Sequence, residues 1–312
     1  MGKVSAVFCT SHSSALLLPF ERCQSVYRQV VERRGGRLAE PIQSASDAES
    51  WEDARHAHQA ILAAVDQLRQ RFAVANPDLV IMFGDDQLEN LQLSAMPPFF
   101  SFIGATSFGH PLKLFQDFFG ESPGYRREVA GSEYAPGLIS GLVERGFDIA
   151  HSDRLPSAEW GLSHSIINVL HLLDIEKPVI PFLVNAFYEP AATPRRCFDL
   201  GLGIKEVIEE TTPENCRVAV IGSGGLSHIT RGERAGFVDA EHDGWVLEQL
   251  RAGRADQLAT LTVQDLRECG NHELREWLPA VAMTGKTPPD WSELIISYRL
   301  LAGYGFAAWN LD

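Results

Sequence analysis

Histidine and carboxylate side chains follow several apolar segments of the sequence and could together bind a divalent metal ion. His12 comes after the apolar run 4–9, Asp85 and Glu89 come after the run 79–83, and His228 comes after the run 218–221. Small residues flank His12 and His228, which lets another molecule approach the backbone closely. Imidazole and carboxylate groups in this pattern favour a metal bound through nitrogen and oxygen, with no thiolate required.

Two further residues could reach the same site. His58 has apolar residues three, four and seven positions further along a segment of helical period, so its side chain is expected to face the buried side. His58 could therefore be a metal ligand or a hydrogen-bonded residue of the core. Glu241 begins a helical segment shortly after His228 and could reach the same edge, although an acidic first turn that complements the helix dipole is the alternative.

A nucleotide-binding loop is the competing interpretation of residues 218–227. The segment begins like the dinucleotide fingerprint, but Ser227 occupies the position of the third glycine. No acidic residue ends a following strand at the expected distance, and the lysine of a phosphate-binding loop is absent from the sequence. The pattern therefore favours the metal site.

The elements that position these side chains alternate along the chain. Apolar runs of strand length occur at 4–9, 79–83, 147–150, 179–184 and 218–221. Segments of helical period lie at 54–72, 138–143, 163–173, 202–208 and 245–250, the last with Asp239 as its N-cap. This alternation predicts a single α/β domain, residues 1–312, with a mostly parallel central sheet covered by helices. The site is expected at the carboxyl ends of the strands.

Two segments fall outside this alternation. Residues 13–51 show no regular hydrophobic period. This segment could form a cover over the active site, or it could be a surface loop without a role in the site. Residues 270–312 are predicted to form a small C-terminal helical region.

Composition excludes several function classes. The 312 residues carry a net charge of −14, which disfavours nucleic acid or an anionic membrane as the main partner. The five dispersed cysteines are typical of a reduced protein without a disulfide framework. No secretory signal or spanning segment is recognisable, so a soluble, cytoplasmic protein is expected.

Several stretches of the sequence resemble the class III extradiol ring-cleavage dioxygenases, the superfamily of the catalytic chain of protocatechuate 4,5-dioxygenase. They occur in the right order and are the segments 10–12, 84–87, 180–185, 195–201, 222–228, 239–241 and 301–307. The chain is most similar to the 3-O-methylgallate dioxygenase type. The resemblance implies a non-haem Fe(II) enzyme of aromatic catabolism that opens a protocatechuate-, gallate- or methylgallate-like ring with both atoms of O2.

Other functions stay open beside this one. A relative that cleaves an aminophenol or a hydroxylated heterocycle would share the fold, and so would a non-catalytic binding subunit that has lost the metal. A zinc hydrolase would use the same ligand types. The implied partners are a small aromatic substrate and O2, and a homo-oligomer is one option for assembly.

The resemblance also assigns metal ligands. His12 matches the first ligand of Fe(II), and Glu241 matches the carboxylate. Gln87 stands where the family has its second histidine ligand, so His58 is the expected replacement, with Gln87 or Glu89 in reserve.

The same resemblance implies residues for catalysis and substrate binding. His228 matches the acid–base histidine, and His164 is expected to compensate for a second family histidine that is missing at residues 159–161. Arg195 and Arg196 could bind a ring carboxylate together with Asn185, although pairing of an arginine with a surface carboxylate is equally open.

Overall fold

Ten strands and twelve α-helices alternate along a computed structural model that describes residues 2–122 and 124–312. The strands are β1 (Lys3–Thr10), β2 (Leu79–Gly84), β3 (Phe99–Phe102), β4 (Thr106–Gly109), β5 (Arg127–Ala130), β6 (Ala150–Ser152), β7 (Val179–Val184), β8 (Arg217–Ser223), β9 (Trp291–Ser297) and β10 (Ala302–Asn310). The helices are α1 (Ser14–Leu17), α2 (Phe20–Arg33), α3 (Ile42–Ala48), α4 (Trp51–Ala75), α5 (Lys113–Phe118), α6 (Ala135–Glu144), α7 (His164–Leu172), α8 (Pro194–Thr211), α9 (Ala240–Arg251), α10 (Ala255–Leu258), α11 (Val263–Cys269) and α12 (Leu274–Ala282).

Eight of the strands form one sheet in the order β6-β3-β7-β2-β8-β1-β10-β9. The four central strands β7, β2, β8 and β1 are mutually parallel, while β3, β10 and β9 each pair antiparallel with a neighbour. The carboxyl ends of the central strands therefore meet at one edge, where functional groups collect in open α/β sheets. The predicted mostly parallel α/β fold is confirmed.

Hydrophobic layers cover both faces of the sheet. Helices α6, α8 and α12 bury their apolar sides on one face, and α4 and α7 cover the other. The central strands β2 and β7 are buried at every position because helices shield them on both sides. This two-sided burial explains why they read as continuous apolar runs.

Most predicted elements have the expected type and position. Strand β7 has the predicted bounds, and Asp239 is the N-cap of α9, where its side chain accepts a hydrogen bond from the His242 N–H. The strand predicted at 147–150 lies later, at β6. All five cysteines are free and buried. Among the described residues, no helix has both the length and the apolarity needed to cross a membrane.

The expectation of a helical region at 270–312 is wrong. Only α12 is helical there, and the segment ends in the antiparallel pair β9–β10, which extends the sheet. Glycines in β10 interrupt its apolar pattern because neighbouring groups occupy the space of a side chain. A Cβ at Gly303 would lie 1.9 Å from Asp243 Oδ2, and one at Gly305 would lie 2.7 Å from the Trp277 ring.

Candidate metal centre and cavity

His12 lies just beyond the end of β1, in the interior of the protein. Its Nδ1 is 3.0 Å from Ser223 Oγ, and the single hydroxyl proton of Ser223 is donated to the Ser165 carbonyl at 2.9 Å. Ser223 must therefore accept from His12, so Nδ1 carries the proton and Nε2 has a free lone pair. Burial lowers the pKa of His12 to about 3, which keeps the imidazole neutral.

Two carboxylates face the free nitrogen of His12. Asp85 Oδ1 and Glu273 Oε1 each lie 3.8 Å from Nε2, too far for a hydrogen bond. Both oxygens of Asp85 and both oxygens of Glu276 nearby have no hydrogen-bond partner among the described residues, whereas Glu273 Oε1 lies 3.3 Å from His228 Nε2. Electron-rich groups buried so close together are costly unless a cation lies among them.

His164 completes this group at the start of α7. Ligand atoms of His12, Asp85 and His164 all lie within 4.8 Å of one another. His164 Nδ1 donates to Glu89 Oε1 at 2.7 Å, and its backbone N–H donates to the other Glu89 oxygen at 3.0 Å. Burial opposes the charged imidazole, but the Glu89 carboxylate outweighs it and raises the pKa of His164 to about 9. Carboxylates orient metal-binding histidines in this way.

His228 follows the glycine-rich turn after β8 and lies beside the group. Its Nδ1 donates to the Leu226 carbonyl at 2.9 Å, and its Nε2 is 3.3 Å from Glu273 Oε1. Burial opposes protonation here too, but the Glu273 carboxylate raises the pKa of His228 to about 9. Asp243 holds the turn by accepting hydrogen bonds from both the N–H and the O–H of Ser227.

These histidines open onto a cavity of about 450 Å³. Its polar lining includes His12, Gln87, His164, His228 and Glu273. Its apolar lining includes residues of α2 and α5, namely Val26, Val30, Leu114, Phe115 and Phe118. Two larger surface depressions, of about 780 and 800 Å³, contain none of the clustered residues. Part of the segment 13–51 thus lines the cavity.

The predicted ligands His58 and Glu241 are not part of this cluster, so the predicted ligand set requires correction. His58 is buried on α4, where its Nε2 donates to the Leu18 carbonyl at 3.0 Å and its ring packs against Phe20. Glu241 is exposed in the first turn of α9 because the buried side of that turn carries Asp243 instead. Neither side chain lines the cavity.

The predicted substrate-binding residues also lie outside the cavity lining. Arg195 is exposed and pairs with Asp199 one turn along α8, at 2.8 Å, and Arg196 donates to a backbone carbonyl and stacks on a phenylalanine ring. The pairing of Arg195 with a surface carboxylate was the alternative expectation. Asn185 accepts from the Tyr188 N–H and donates to the Tyr188 carbonyl. Asn185 therefore positions Tyr188, which does line the cavity.

Sequence reasoning missed Glu273 and Glu276, and it named Asp85 as a candidate without assigning it as a ligand. Asp85 directly follows β2, which was the available signal. Glu273 stands immediately before α12, whose residues are almost all buried and apolar. A carboxylate at the start of such a buried helix was the signal in the sequence that could have identified it. Glu276 is buried inside α12, where nothing in the helical pattern distinguishes it.

Comparison with known proteins identifies the family. Residues 39–308 match the family model described as the catalytic LigB subunit of aromatic ring-opening dioxygenase. The chain belongs to this family. The superfamily resemblance expected from the sequence is thereby confirmed.

Curated relatives in this group are ring-cleaving dioxygenases. Gallate dioxygenase of Pseudomonas putida is 31% identical over 134 residues, which cover 43% of this chain and 39% of the relative. The 2,3-dihydroxyphenylpropionate/2,3-dihydroxicinnamic acid 1,2-dioxygenase of Photorhabdus laumondii is 30% identical over 189 residues, which cover 60% of this chain and 53% of the relative. The chain spans about half the length of the curated relatives it matches.

One solved structure resembles the whole chain at low similarity. An uncharacterized protein from Escherichia coli K12 has a TM-score of 0.47 and 11% sequence identity, and the match covers 98% of this chain and 99% of that one. Similarity at this level does not inform function.

Proposed function

We propose that this chain opens the ring of a catechol-type aromatic compound with O2, using Fe(II) bound by His12, His164, Asp85 and Glu273. The observation that carries the proposal is the unprotonated Nε2 of His12, a residue that lines the cavity, which faces two buried carboxylates. Membership of a ring-opening dioxygenase family supports the same reaction class.

The residues present fit a divalent iron ion. Two imidazoles and carboxylate oxygens, with no thiolate, are the donor set of non-haem Fe(II) oxygenases. The unpartnered oxygens of Asp85 would gain a partner, and the positive charge would offset buried negative charge. His164 would release its Nε2 proton on binding the ion, and Glu89 would keep its ring oriented.

Fe(II) bound at this group would supply the redox chemistry that O2 needs to react with an aromatic ring. The protein's own tasks are to move protons and to exclude water. His228 Nε2 lines the cavity beside Glu273 and can hold a proton, so we assign it as the acid–base group for a substrate hydroxyl. The apolar side chains of α2 and α5 would shield the ring from solvent.

Iron content and oxygen consumption test this function together. Protein purified without oxygen is expected to hold about one iron per chain, the amount that a single mononuclear site requires. It should consume O2 with a catechol and form a ring-opened product. His12→Gln should lose the iron and the activity. His58→Gln, a matched control outside the cluster, should retain both.

Other outcomes would redirect the assignment. Absence of iron after reconstitution would refute the enzyme and support a binding subunit. Bound zinc with hydrolysis of a test ester would refute the dioxygenase in favour of a hydrolase. O2 consumption with aminophenols and not with catechols would retain the iron chemistry and replace the substrate.

A further inference from the structure

The buried histidines and carboxylates form two overlapping groups. Ligand atoms of His12, Asp85 and His164 lie within 4.8 Å of one another, and oxygens of Asp85, Glu273 and Glu276 do so as well. Among the described residues, no other set of three such side chains meets this limit. The first group contains both imidazoles, whereas the second consists of carboxylates alone and includes Glu276, which the proposed iron site does not use.

Glu276 is a completely buried carboxylate without a partner. Neither of its oxygens has a hydrogen-bond partner in the described part of the chain, and the same is true of Asp85. Buried carboxylates normally accept hydrogen bonds or pair with a cation, because an isolated negative charge in the interior is costly. Asp85 and Glu276 thus present four free oxygens inside the protein.

The turn after β8 lies against Glu273 and Glu276. A Cβ at Gly224, whose φ is +139°, would lie 2.6 Å from Glu276 Oε2 and 3.0 Å from Glu273 Oε2. The Gly225 N–H donates to Glu273 Oε2 at 2.7 Å, which fixes this carboxylate and leaves a lone pair on the same oxygen. The two glutamates therefore converge on one position of the turn.

Buried cations near Glu276 are engaged elsewhere. Arg275 is adjacent in the sequence and almost completely buried, but its described hydrogen bonds all go to backbone carbonyls. His164 and His228 each face a different carboxylate. The charge of Glu276 is therefore not offset by any of these three side chains.

The donor set of the second group indicates the type of ion. Carboxylate oxygens without nitrogen or sulfur suit Mg²⁺, Ca²⁺ or Mn²⁺. Mg²⁺ usually keeps several of its water molecules, whereas Ca²⁺ takes six to eight oxygen ligands and accepts carboxylates with both oxygens. Three buried carboxylates offer up to six oxygens away from solvent, which favours Ca²⁺.

We propose that Asp85, Glu273 and Glu276 bind a second cation of the calcium type beside the iron site. Asp85 and Glu273 would be shared between the two ions, since both also face His12. A cation held there would fix the orientation of these two carboxylates toward the iron. The inference goes beyond the proposed function because it assigns a second metal site and gives Glu276 a role.

Equilibrium dialysis against Ca²⁺, followed by metal analysis, tests the second site. The sample is iron-loaded protein prepared without oxygen. Wild type should bind about one Ca²⁺ per chain in addition to iron, and it should bind Mg²⁺ at least about tenfold more weakly. Glu276→Gln should weaken Ca²⁺ binding by at least about tenfold and should retain the iron, because one anionic ligand of the second site alone is lost.

Reciprocal variants separate the two sites. His12→Gln should lose the iron and still bind Ca²⁺. Glu241→Gln removes an exposed carboxylate at the start of α9, outside both groups, and should keep both ions. Thermal unfolding of wild type needs no variant: Ca²⁺ should raise the Tm because an ion that binds only the folded chain stabilises it.

Several results would overturn the proposal. Absence of bound Ca²⁺ at millimolar concentration, with an unchanged Tm, would show that Glu276 holds a proton instead of facing an ion. Unchanged Ca²⁺ binding in folded Glu276→Gln would place the ion elsewhere. Equally tight binding of Mg²⁺ would refute the calcium-type ion.

The two proposals fail in different ways. If Ca²⁺ binds in a manner that depends on Glu276 but no catechol consumes O2, the second site stands and the dioxygenase assignment fails. If a catechol is turned over by protein that holds iron but binds no Ca²⁺, the dioxygenase stands and the second site fails.

Discussion

Glu89→Gln is expected to destabilise the metal-free protein in a pH-dependent manner. Glu89 accepts hydrogen bonds from both the ring and the backbone of His164, and both side chains are almost completely buried. Glutamine has nearly the same shape, but it carries no charge to stabilise the imidazolium and has only one acceptor oxygen, so one of the two hydrogen bonds from His164 is lost at every pH. Only the pH-dependent part of the loss therefore reports the charge of Glu89.

The magnitude follows from the pKa of His164. A rise from 6.5 to about 9 corresponds to about 3 kcal/mol, at about 1.4 kcal/mol per pH unit. Asp85 and Glu273 contribute to this rise, so the share lost with Glu89 is about 2 kcal/mol. Because the folded pKa is raised, the contribution is complete below pH 6.5 and disappears as the pH rises through about 9.

Urea unfolding of metal-free protein measures this effect. Glu89→Gln should lower the free energy of unfolding by about 2 kcal/mol near pH 6, and the loss should shrink near pH 10. The control Glu159→Gln removes an exposed carboxylate beside Lys113 and should change stability by less than about 0.5 kcal/mol. An equal loss at both pH values, or none near pH 6, would refute the assigned role of the buried pair.

The remaining predictions concern catalysis and packing. His228→Ala should lower kcat by about a hundredfold or more while iron content, measured by metal analysis, stays unchanged; full turnover would exclude the acid–base role. Gly303→Ala should cost about 1–3 kcal/mol in urea unfolding because the new methyl group would collide with Asp243, and an unchanged midpoint would contradict this packing. Arg195→Gln removes an exposed ion pair and should alter neither KM nor stability by a measurable amount. A raised KM would instead support the role of Arg195 in substrate binding. His58→Ala should lower stability but keep iron bound, and metal loss from a folded variant would restore His58 as a ligand.

Prediction from sequence was most successful where local pattern is decisive. The central strands are apolar on both faces and are flanked by helical periods, so their type and location were predictable. The same pattern predicts that the carboxyl ends of the parallel strands meet at one edge of the sheet. His12, His164 and His228 all line the cavity at that edge. These three histidines could be predicted although they are far apart in the sequence, because each one follows a recognisable strand or begins a recognisable helix.

The carboxylates were harder to predict. Glu241 and Glu273 both lie at the beginning of a helix, and a sequence does not reveal which side of the first turn faces inward. In α9 the buried position is Asp243, and Glu241 points to solvent. Before α12, Glu273 is buried because that helix packs against α8 and the central strands.

The sequence by itself determined the α/β class, the mostly parallel sheet and the edge at which chemistry is concentrated. These features depend on hydrophobic periodicity, which is a local property of the chain. Only the tertiary structure decided which acids face His12, that His58 is held by a backbone carbonyl, and that Arg195 lies outside the cavity lining. Those outcomes depend on how helices rotate and pack against the sheet, and that packing is set by contacts between residues far apart in the chain.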